Sequence, residues 1–252
     1  MTNFYDFMYW TPLYWGASLV FPILFSQYEI VSSHFIGLSL GLSSVALGQV
    51  VTVGYYMSYN RFNWKSENRL RSIIQYISQP EGFLLLGTYL SVYWITGYMP
   101  TSYYSYKGGI YWDHVLYQLL IQDFLQFCIH RLEHKYSILY KIFHQSHHRY
   151  TSPTLLDAFD GSIYDTMFMI LIPLFITSRI VSTNVWSYMI FGTIYSNILT
   201  LIHSEVEHPW DWVFSKLGIG TPMDHRIHHR KLKQNYGHIF VYWDQICGTK
   251  SM

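Results

Sequence analysis

The sequence predicts an all-α fold, an integral-membrane helical bundle of about four spans plus a re-entrant or short hairpin, with a cytosolic histidine-rich helical cap. Hydrophobic residues make up 50% of the 252 residues and charged residues only 12%, about half the charged share of an ordinary soluble domain. Apolar stretches approaching the thickness of a bilayer recur along the chain. Histidines recur at spacings that place their rings on one face of a helix.

Four apolar stretches precede the first histidine cluster, and two more follow the second cluster closely enough to form a hairpin. A membrane-spanning helix needs about 20 apolar residues, with a lower limit of about 17. The second stretch meets this requirement most clearly, whereas the first and fourth are near the limit. In chain order, the stretches are residues 11–26, 35–57, 82–99, 114–129, 167–180 and 185–202.

These stretches predict one domain of four parts. The parts are membrane spans (1–129), a first cap segment (130–165), a membrane hairpin (166–202) and a C-terminal cap segment (203–252). If each stretch crosses the membrane once in chain order, only Lys107 and Arg179 lie in loops on the side opposite the clustered histidines. The histidine side receives the other basic loops, including Arg61, Lys65, Arg69 and Arg71. Because Lys and Arg favour the cytosolic side, the cap is expected to face the cytosol.

Ten of the thirteen histidines lie in four short groups: His130 and His134; His144, His147 and His148; His203 and His208; and His225, His228 and His229. Packing so many imidazoles together in a poorly hydrated place would leave ring nitrogens without partners, whereas neutral imidazole is the commonest metal ligand. Nine or ten ligands are too many for one ion, so the count predicts two adjacent ions. Spacing alone does not distinguish iron from zinc, copper or nickel.

The motifs around these histidines resemble the fatty acid hydroxylase and sterol desaturase superfamily over about residues 123–249. The similarity rests on His130-x3-His134, His144-x2-His147-His148 and His225-x2-His228-His229, followed by Asn235-Tyr236-Gly237 and the run Trp-Asp-Gln-Ile-Cys-Gly-Thr at 243–249. The segment His203-Ser204-Glu205 with Pro209-Trp210 is similar to the third histidine region of the cholesterol 25-hydroxylase and alkylglycerol monooxygenase branches.

This resemblance implies a non-haem centre of two iron ions, with zinc as an alternative occupant in a purified form, and dioxygen as co-substrate. The implied reaction is hydroxylation or desaturation of a sterol or fatty-acyl lipid. The implied location is the endoplasmic reticulum, with another internal membrane or a bacterial membrane as the alternative. The metal ligands carried over are His130, His134, His144, His147, His148, His203, His225, His228 and His229. His208 stays undecided, because its x4 spacing from His203 departs from the H-x3-H pair of some members.

Ligating histidines usually donate their other N–H group to a carboxylate or a carbonyl. Asp123 and Asp224 are therefore candidates to orient ligands, and Asp123 lies seven residues before His130, on the same helical face. The remaining histidines, His34, His114 and His238, lie outside these motifs and are predicted to be structural.

The chain has no flavin or nicotinamide motif, so dioxygen chemistry would require an external electron donor such as cytochrome b5 or a ferredoxin. Basic residues beside the clusters, such as Arg149, Arg226 and Arg230, would dock an acidic carrier or contact anionic lipid headgroups. A net charge of +1, without a basic run interleaved with aromatics, gives no reason to expect nucleic acid. Two alternatives remain: a membrane zinc hydrolase, and a non-catalytic lipid- or metal-binding subunit of a membrane assembly.

Overall fold

The computed structural model describes residues 4–28, 30, 33–59 and 69–251. Within these residues the regular structure is helical, apart from one isolated antiparallel bridge between Ile219 and Phe240, which confirms the all-α prediction. The main helices are α1 (Phe4–Phe25), α2 (His34–Tyr59), α3 (Arg69–Ser78), α4 (Leu85–Ile95), α5 (Trp112–Lys135), α6 (Ile163–Ile180), α7 (Val185–Leu201), α8 (Asp211–Lys216), α9 (Pro222–Lys231) and α10 (Tyr242–Cys247).

Two of these helices, α2 and α6, are long and apolar enough to cross a membrane by length and composition. Helices α1, α4, α5 and α7 coincide with the other predicted apolar stretches, and their role as spans stays a prediction. Arg61 and Lys65, two of the basic residues that predict the cytosolic side, lie outside the described residues. Helix α5 continues past its apolar part to Lys135, so it carries His130 and His134 on its last turns.

Helices α2 and α7 pack closely through small and hydroxyl-bearing side chains. Ser44 Oγ lies 2.7 Å from Thr193 Oγ1. A Cβ atom added at Gly48 would lie 2.8 Å from Thr193 Cγ2, so the close approach of the two helices requires glycine there. Small residues and hydrogen bonds between helices are the usual means of association in lipid. This packing fixes α7, and with it His203 just beyond its end.

A buried carboxylate attaches the C-terminal part of the described chain to α5. Asp123, fully buried, accepts hydrogen bonds from the backbone N–H groups of Ile239 at 2.8 Å and Phe240 at 3.0 Å, and from the Trp243 indole at 2.9 Å. Asp244 accepts from the backbone N–H of Tyr236 at 2.9 Å. The chain around 236–243 is thereby held against α5, beside His130.

An apolar groove of about 670 Å³ runs along the bundle between α2, α4 and α7. Its lining on α2 extends from Gly37 to Met57, about 30 Å at 1.5 Å per residue. Val50 and Met57 line the groove and are exposed, so the groove is open to the surface of the bundle there. Its volume is in the range of sites for small organic ligands.

Candidate metal centre

Nine histidines from four segments of the chain converge in two groups. The five-histidine group contains His130, His134, His144, His148 and His228, and the four-histidine group contains His147, His203, His225 and His229. Within each group, one ring nitrogen from every member lies within 4.8 Å of the others. All nine rings are buried, except that His134 is partly exposed. These are the nine residues that the resemblance carried over.

The helical turns distribute the histidines between the two groups. On α9, the i, i+4 pair His225 and His229 faces the four-histidine group, whereas His228 faces the other. The segment after α5 forms a π-helical turn, Tyr140–His144, and then a 3-10 turn, His147–Arg149. The two groups adjoin each other, since the ring centroids of His148 and His229 are 4.5 Å apart.

Backbone carbonyl groups fix which nitrogen of several rings carries the proton. The Nδ1 atoms of these rings lie 2.7–3.2 Å from carbonyl oxygens, in the pairs His130 with Tyr236, His147 with Asp160, His203 with Leu199, His228 with Gln234, and His229 with Tyr150. A carbonyl oxygen only accepts hydrogen bonds, so Nδ1 must carry the hydrogen. In a neutral imidazole, Nε2 then has a free lone pair.

The Nε2 atoms of neighbouring rings approach one another closely. The separations are 3.0 Å for His130 and His144, 3.1 Å for His148 and His228, 2.9 Å for His203 and His225, and 3.1 Å for His225 and His229. Metal–nitrogen bonds of 2.0–2.1 Å place neighbouring ligand nitrogens about 2.9–3.4 Å apart. Convergent lone pairs at this spacing fit a cation within each group, so the donor set suits two metal ions.

Burial keeps the histidines of the two groups in the neutral form that binds metals. It lowers the pKa of His147 to about 4. Burial, and then the neighbouring histidines, lower the pKa values of His225 and His228 well below the usual value. At pH 7 these rings are therefore uncharged, and a metal ion does not have to compete with a proton for them.

Asp165, rather than Asp123 or Asp224, lies against a histidine of the groups. Asp165 Oδ1 is 2.8 Å from His144 Nδ1, whereas Asp123 bonds to the cap backbone. Asp224 forms a capping box with Thr221 at the start of α9 and pairs with Lys250. The expectation that Asp123 and Asp224 orient ligand rings is thus not met. The Asp123 carboxylate instead accepts hydrogen bonds from two backbone N–H groups and from the Trp243 indole.

Replacing Asp165 with alanine is expected to weaken metal binding by about 10- to 100-fold, the usual cost of losing the partner of a ligating histidine. Asp165→Asn should recover part of the affinity, because its amide oxygen still accepts from His144. Titration against a competing chelator measures the change. Asp113→Asn, an exposed carboxylate at the start of α5, is the control. Unchanged affinity in Asp165→Ala would contradict this role.

His208 lies outside both groups. Its Nδ1 is 3.0 Å from the Tyr55 hydroxyl and its Nε2 is 3.3 Å from the Leu201 carbonyl oxygen. The ring stacks on Trp210, with centroids 5.3 Å apart. His208 therefore ties the loop after α7 to α2. Its two nitrogens have protein partners, and the structure does not bring it to the metal-binding groups.

The free energy of unfolding is expected to depend on pH through His208. Burial lowers the pKa of His208 to about 4, against about 6.5 in an unfolded chain. The unfolded chain therefore binds a proton that the folded chain does not, and stability is lost as the pH falls from about 6.5 to 4. Between pH 7 and pH 5, the thermal midpoint of a His208→Gln variant should fall less than that of the wild type. An equal fall in the thermal midpoint of the variant and the wild type would contradict the prediction. His114→Gln, which replaces a partly exposed histidine, is the control.

The fatty acid hydroxylase family model matches residues 115–249, more than half of the chain. This chain belongs to the fatty acid hydroxylase family. The alternative squalene epoxidase of Phaeodactylum tricornutum is 43% identical over 247 residues, covering 91% of this chain and 71% of that protein. A cholesterol 25-hydroxylase-like protein of Danio rerio is 30% identical, and the match covers 60% of this chain and 61% of that protein. The ornithine lipid hydroxylase OlsE of Rhizobium tropici is 31% identical, and the match covers 59% of this chain and 46% of that protein. No solved structure matches this chain.

In this fatty acid hydroxylase family member, His238 was not expected near the site. Its ring centroid lies 4.9 Å from that of His130 and 5.4 Å from that of His225, so it adjoins both groups. It belongs to neither set of potential ligands. By contrast, His114 is at the opposite end of α5 from His130, and His34 stacks on Tyr104 with centroids 4.0 Å apart. The only sequence signal for His238 is its place directly after the Asn-Tyr-Gly motif.

Proposed function

We propose that this chain is an oxygen-dependent lipid oxidoreductase with two iron ions, and that its reaction is the epoxidation of a squalene-like hydrocarbon. The observation that carries the proposal is the convergence of nine imidazoles at one end of an apolar groove. Iron is compatible with all-imidazole donor sets. Bound iron would supply the reduction of dioxygen. The protein would hold the ions, orient the lipid and exclude water.

The groove supports a hydrocarbon substrate that reaches the metal-binding groups from the bundle interior. Phe159, Ile170 and Leu199 line the groove and also a smaller cavity that borders His147 and His203. A lipid lying along α2 and α7 would therefore bring one segment to the histidines. The groove wall is almost entirely apolar. A ligand with many polar groups would lose hydrogen bonds to water there without replacement, so a polyene hydrocarbon suits the groove better.

Two sets of relatives support two reactions. Similarity to the alternative squalene epoxidase extends over 91% of this chain and favours epoxidation. In that reaction an alkene, dioxygen, two electrons and two protons give an epoxide and water. The relatives named as a cholesterol 25-hydroxylase-like protein, an ornithine lipid hydroxylase and sterol desaturases favour hydroxylation or desaturation of a sterol or acyl lipid. That is the second candidate.

The proposed setting is the endoplasmic reticulum membrane, with the histidine groups facing the cytosol. The electrons would come from an external donor such as cytochrome b5 or a ferredoxin. Arg149, which is about half exposed and pairs with Asp160 at 2.8 Å, lies next to His148 and is a candidate contact for an acidic donor.

Labelled dioxygen tests the proposed function. Iron-loaded protein in lipid nanodiscs would be given squalene, a reduced electron donor and ¹⁸O₂, and the products would be analysed by mass spectrometry. We expect one labelled oxygen atom in an epoxide, and no product from a His147→Ala/His228→Ala variant. A labelled alcohol or a new alkene from a sterol or acyl lipid would favour the second candidate. Hydrolysis without oxygen or reductant would indicate a zinc hydrolase, and binding without turnover a non-catalytic subunit.

A further inference from the structure

We propose that the small cavity beside the two histidine groups holds the oxygen atom of the oxidised product through hydrogen bonds donated by Gln126 and His238. The inference rests on the proposed metal centre and assigns a task to two side chains that are not metal ligands.

The cavity lies where the metal centre and the lipid groove meet. It has a volume of about 40 Å³ and is bordered by His144 of one group and His147 of the other. Phe159 and Leu199 separate it from the groove and line both spaces. A cavity needs about 10–15 Å³ of such volume to hold one water molecule, so this cavity has room for a small group of a few non-hydrogen atoms. A ligand there would touch both histidine groups and the reacting segment of the lipid.

His238 brings an unused ring to this cavity. The ring is only 5% exposed, and it lines the cavity. Its Nδ1 is buried without a hydrogen-bond partner, and neither ring nitrogen bonds to another side chain among the described residues. A buried polar atom without a partner is costly to the fold. An acceptor bound in the cavity would remove that cost.

Gln126 is oriented by a chain of hydrogen bonds from the bundle core. Thr177 donates to Gln122 Oε1 at 3.2 Å, and Gln122 Nε2 donates to the Tyr195 hydroxyl at 3.1 Å. The Tyr195 hydroxyl in turn donates to Gln126 Oε1 at 3.1 Å. The carbonyl oxygen of the Gln126 amide is thus occupied. Its NH₂ group has no hydrogen-bond partner among the described residues, although the side chain is only 2% exposed and lines the cavity.

The other polar side chains of the cavity are already engaged. The Thr166 hydroxyl donates to the Glu81 carbonyl oxygen, and Asp165 bonds to His144. Gln126 and His238 are the donors left over in the described lining. Two donors in a space for one small group suit a compact acceptor, and the oxygen atom of an epoxide meets that description.

Azide binding to the iron-loaded protein tests this site, because azide is a small ligand whose terminal nitrogen accepts hydrogen bonds. Optical titration would compare the wild type with Gln126→Leu and His238→Phe. Each change is expected to raise the azide dissociation constant about five- to tenfold, which corresponds to the free energy of one hydrogen bond. Both variants should still bind two ions per chain. Gln118→Leu, a fully buried glutamine on the same helix that bonds to Tyr103, should bind azide as the wild type does.

Tyr195→Phe provides a second test, because it removes the hydroxyl that orients Gln126 without changing the cavity lining. It should weaken azide binding severalfold. Wild-type azide affinity in the Gln126, His238 and Tyr195 variants, with both ions present, would overturn the inference and leave the metal centre intact. Loss of an ion from His238→Phe would also overturn it, by making His238 a ligand. Absence of metal from the wild type would instead refute the proposed function.

Discussion

Replacing His203 with alanine is expected to remove the metal ion of the four-histidine group and to reduce lipid oxidation by more than about 100-fold. Loss of a residue that only supports a ligand already costs 10- to 100-fold, and His203 Nε2 itself lies 2.9 Å from that of His225. The five-histidine group shares no member with this one and should retain its ion. Metal analysis should therefore give about one ion per chain, and product analysis should give almost no oxidised lipid.

His208→Ala is the control for this experiment. His208 is the other histidine of the same sequence group, and it is equally buried, with 1% exposure against 2% for His203. It should keep both ions and most of the activity, while its thermal midpoint falls because the contacts with Tyr55 and Trp210 are lost. Two ions and full turnover in His203→Ala would contradict the role of the four-histidine group.

Filling the groove is expected to stop lipid oxidation without disturbing the metal centre. Gly54 on α2 and Gly87 on α4 both line the groove, and a Cβ atom added at either would meet nothing within 4 Å. Leucine at both positions would occupy space that the lipid needs. Because even one methylene group in an apolar pocket changes specificity about 10-fold or more, kcat/KM for the lipid should fall at least about tenfold. Iron content should stay at the wild-type value.

Gly16→Leu separates this effect from a general effect of replacing glycine. Gly16 lies on α1, outside the groove lining, and an added Cβ atom there also meets nothing within 4 Å. Leucine is favoured over glycine in helices by about 1 kcal/mol, so neither variant should unfold. Turnover at the wild-type rate in the Gly54→Leu/Gly87→Leu variant would show that the lipid binds elsewhere.

Helical periodicity explains how the sequence could predict which histidines meet. His130 and His134 continue an apolar helix, and the i, i+3, i+4 triple on α9 presents its rings on one side. The division of that triple between two groups could not be predicted, since it depends on where α9 lies between the end of α5 and the end of α7. The roles of the two histidines in the H-x4-H pair could not be predicted either. In the structure His208 contacts the Tyr55 hydroxyl, whereas His203 belongs to the four-histidine group.

The partners of the histidines were harder to predict than the histidines themselves. Most of the observed Nδ1 partners are backbone carbonyl groups, which every residue has and no motif marks. The carboxylate beside His144 comes from Asp165, on the first turn of the apolar helix α6. His238 reaches the site in a segment whose backbone, at Ile239 and Phe240, is held against α5 by Asp123. That contact joins residues more than 100 positions apart, and local patterns do not reveal it.

X-ray absorption spectroscopy on the iron-loaded protein, combined with metal quantification, tests the central claim most directly. Nine imidazoles around two ions predict two irons per chain, with a first shell dominated by nitrogen at about 2.0–2.2 Å and the outer-shell scattering of imidazole rings. One ion or none per chain, or a shell dominated by sulfur or by carboxylate oxygen, would contradict the claim.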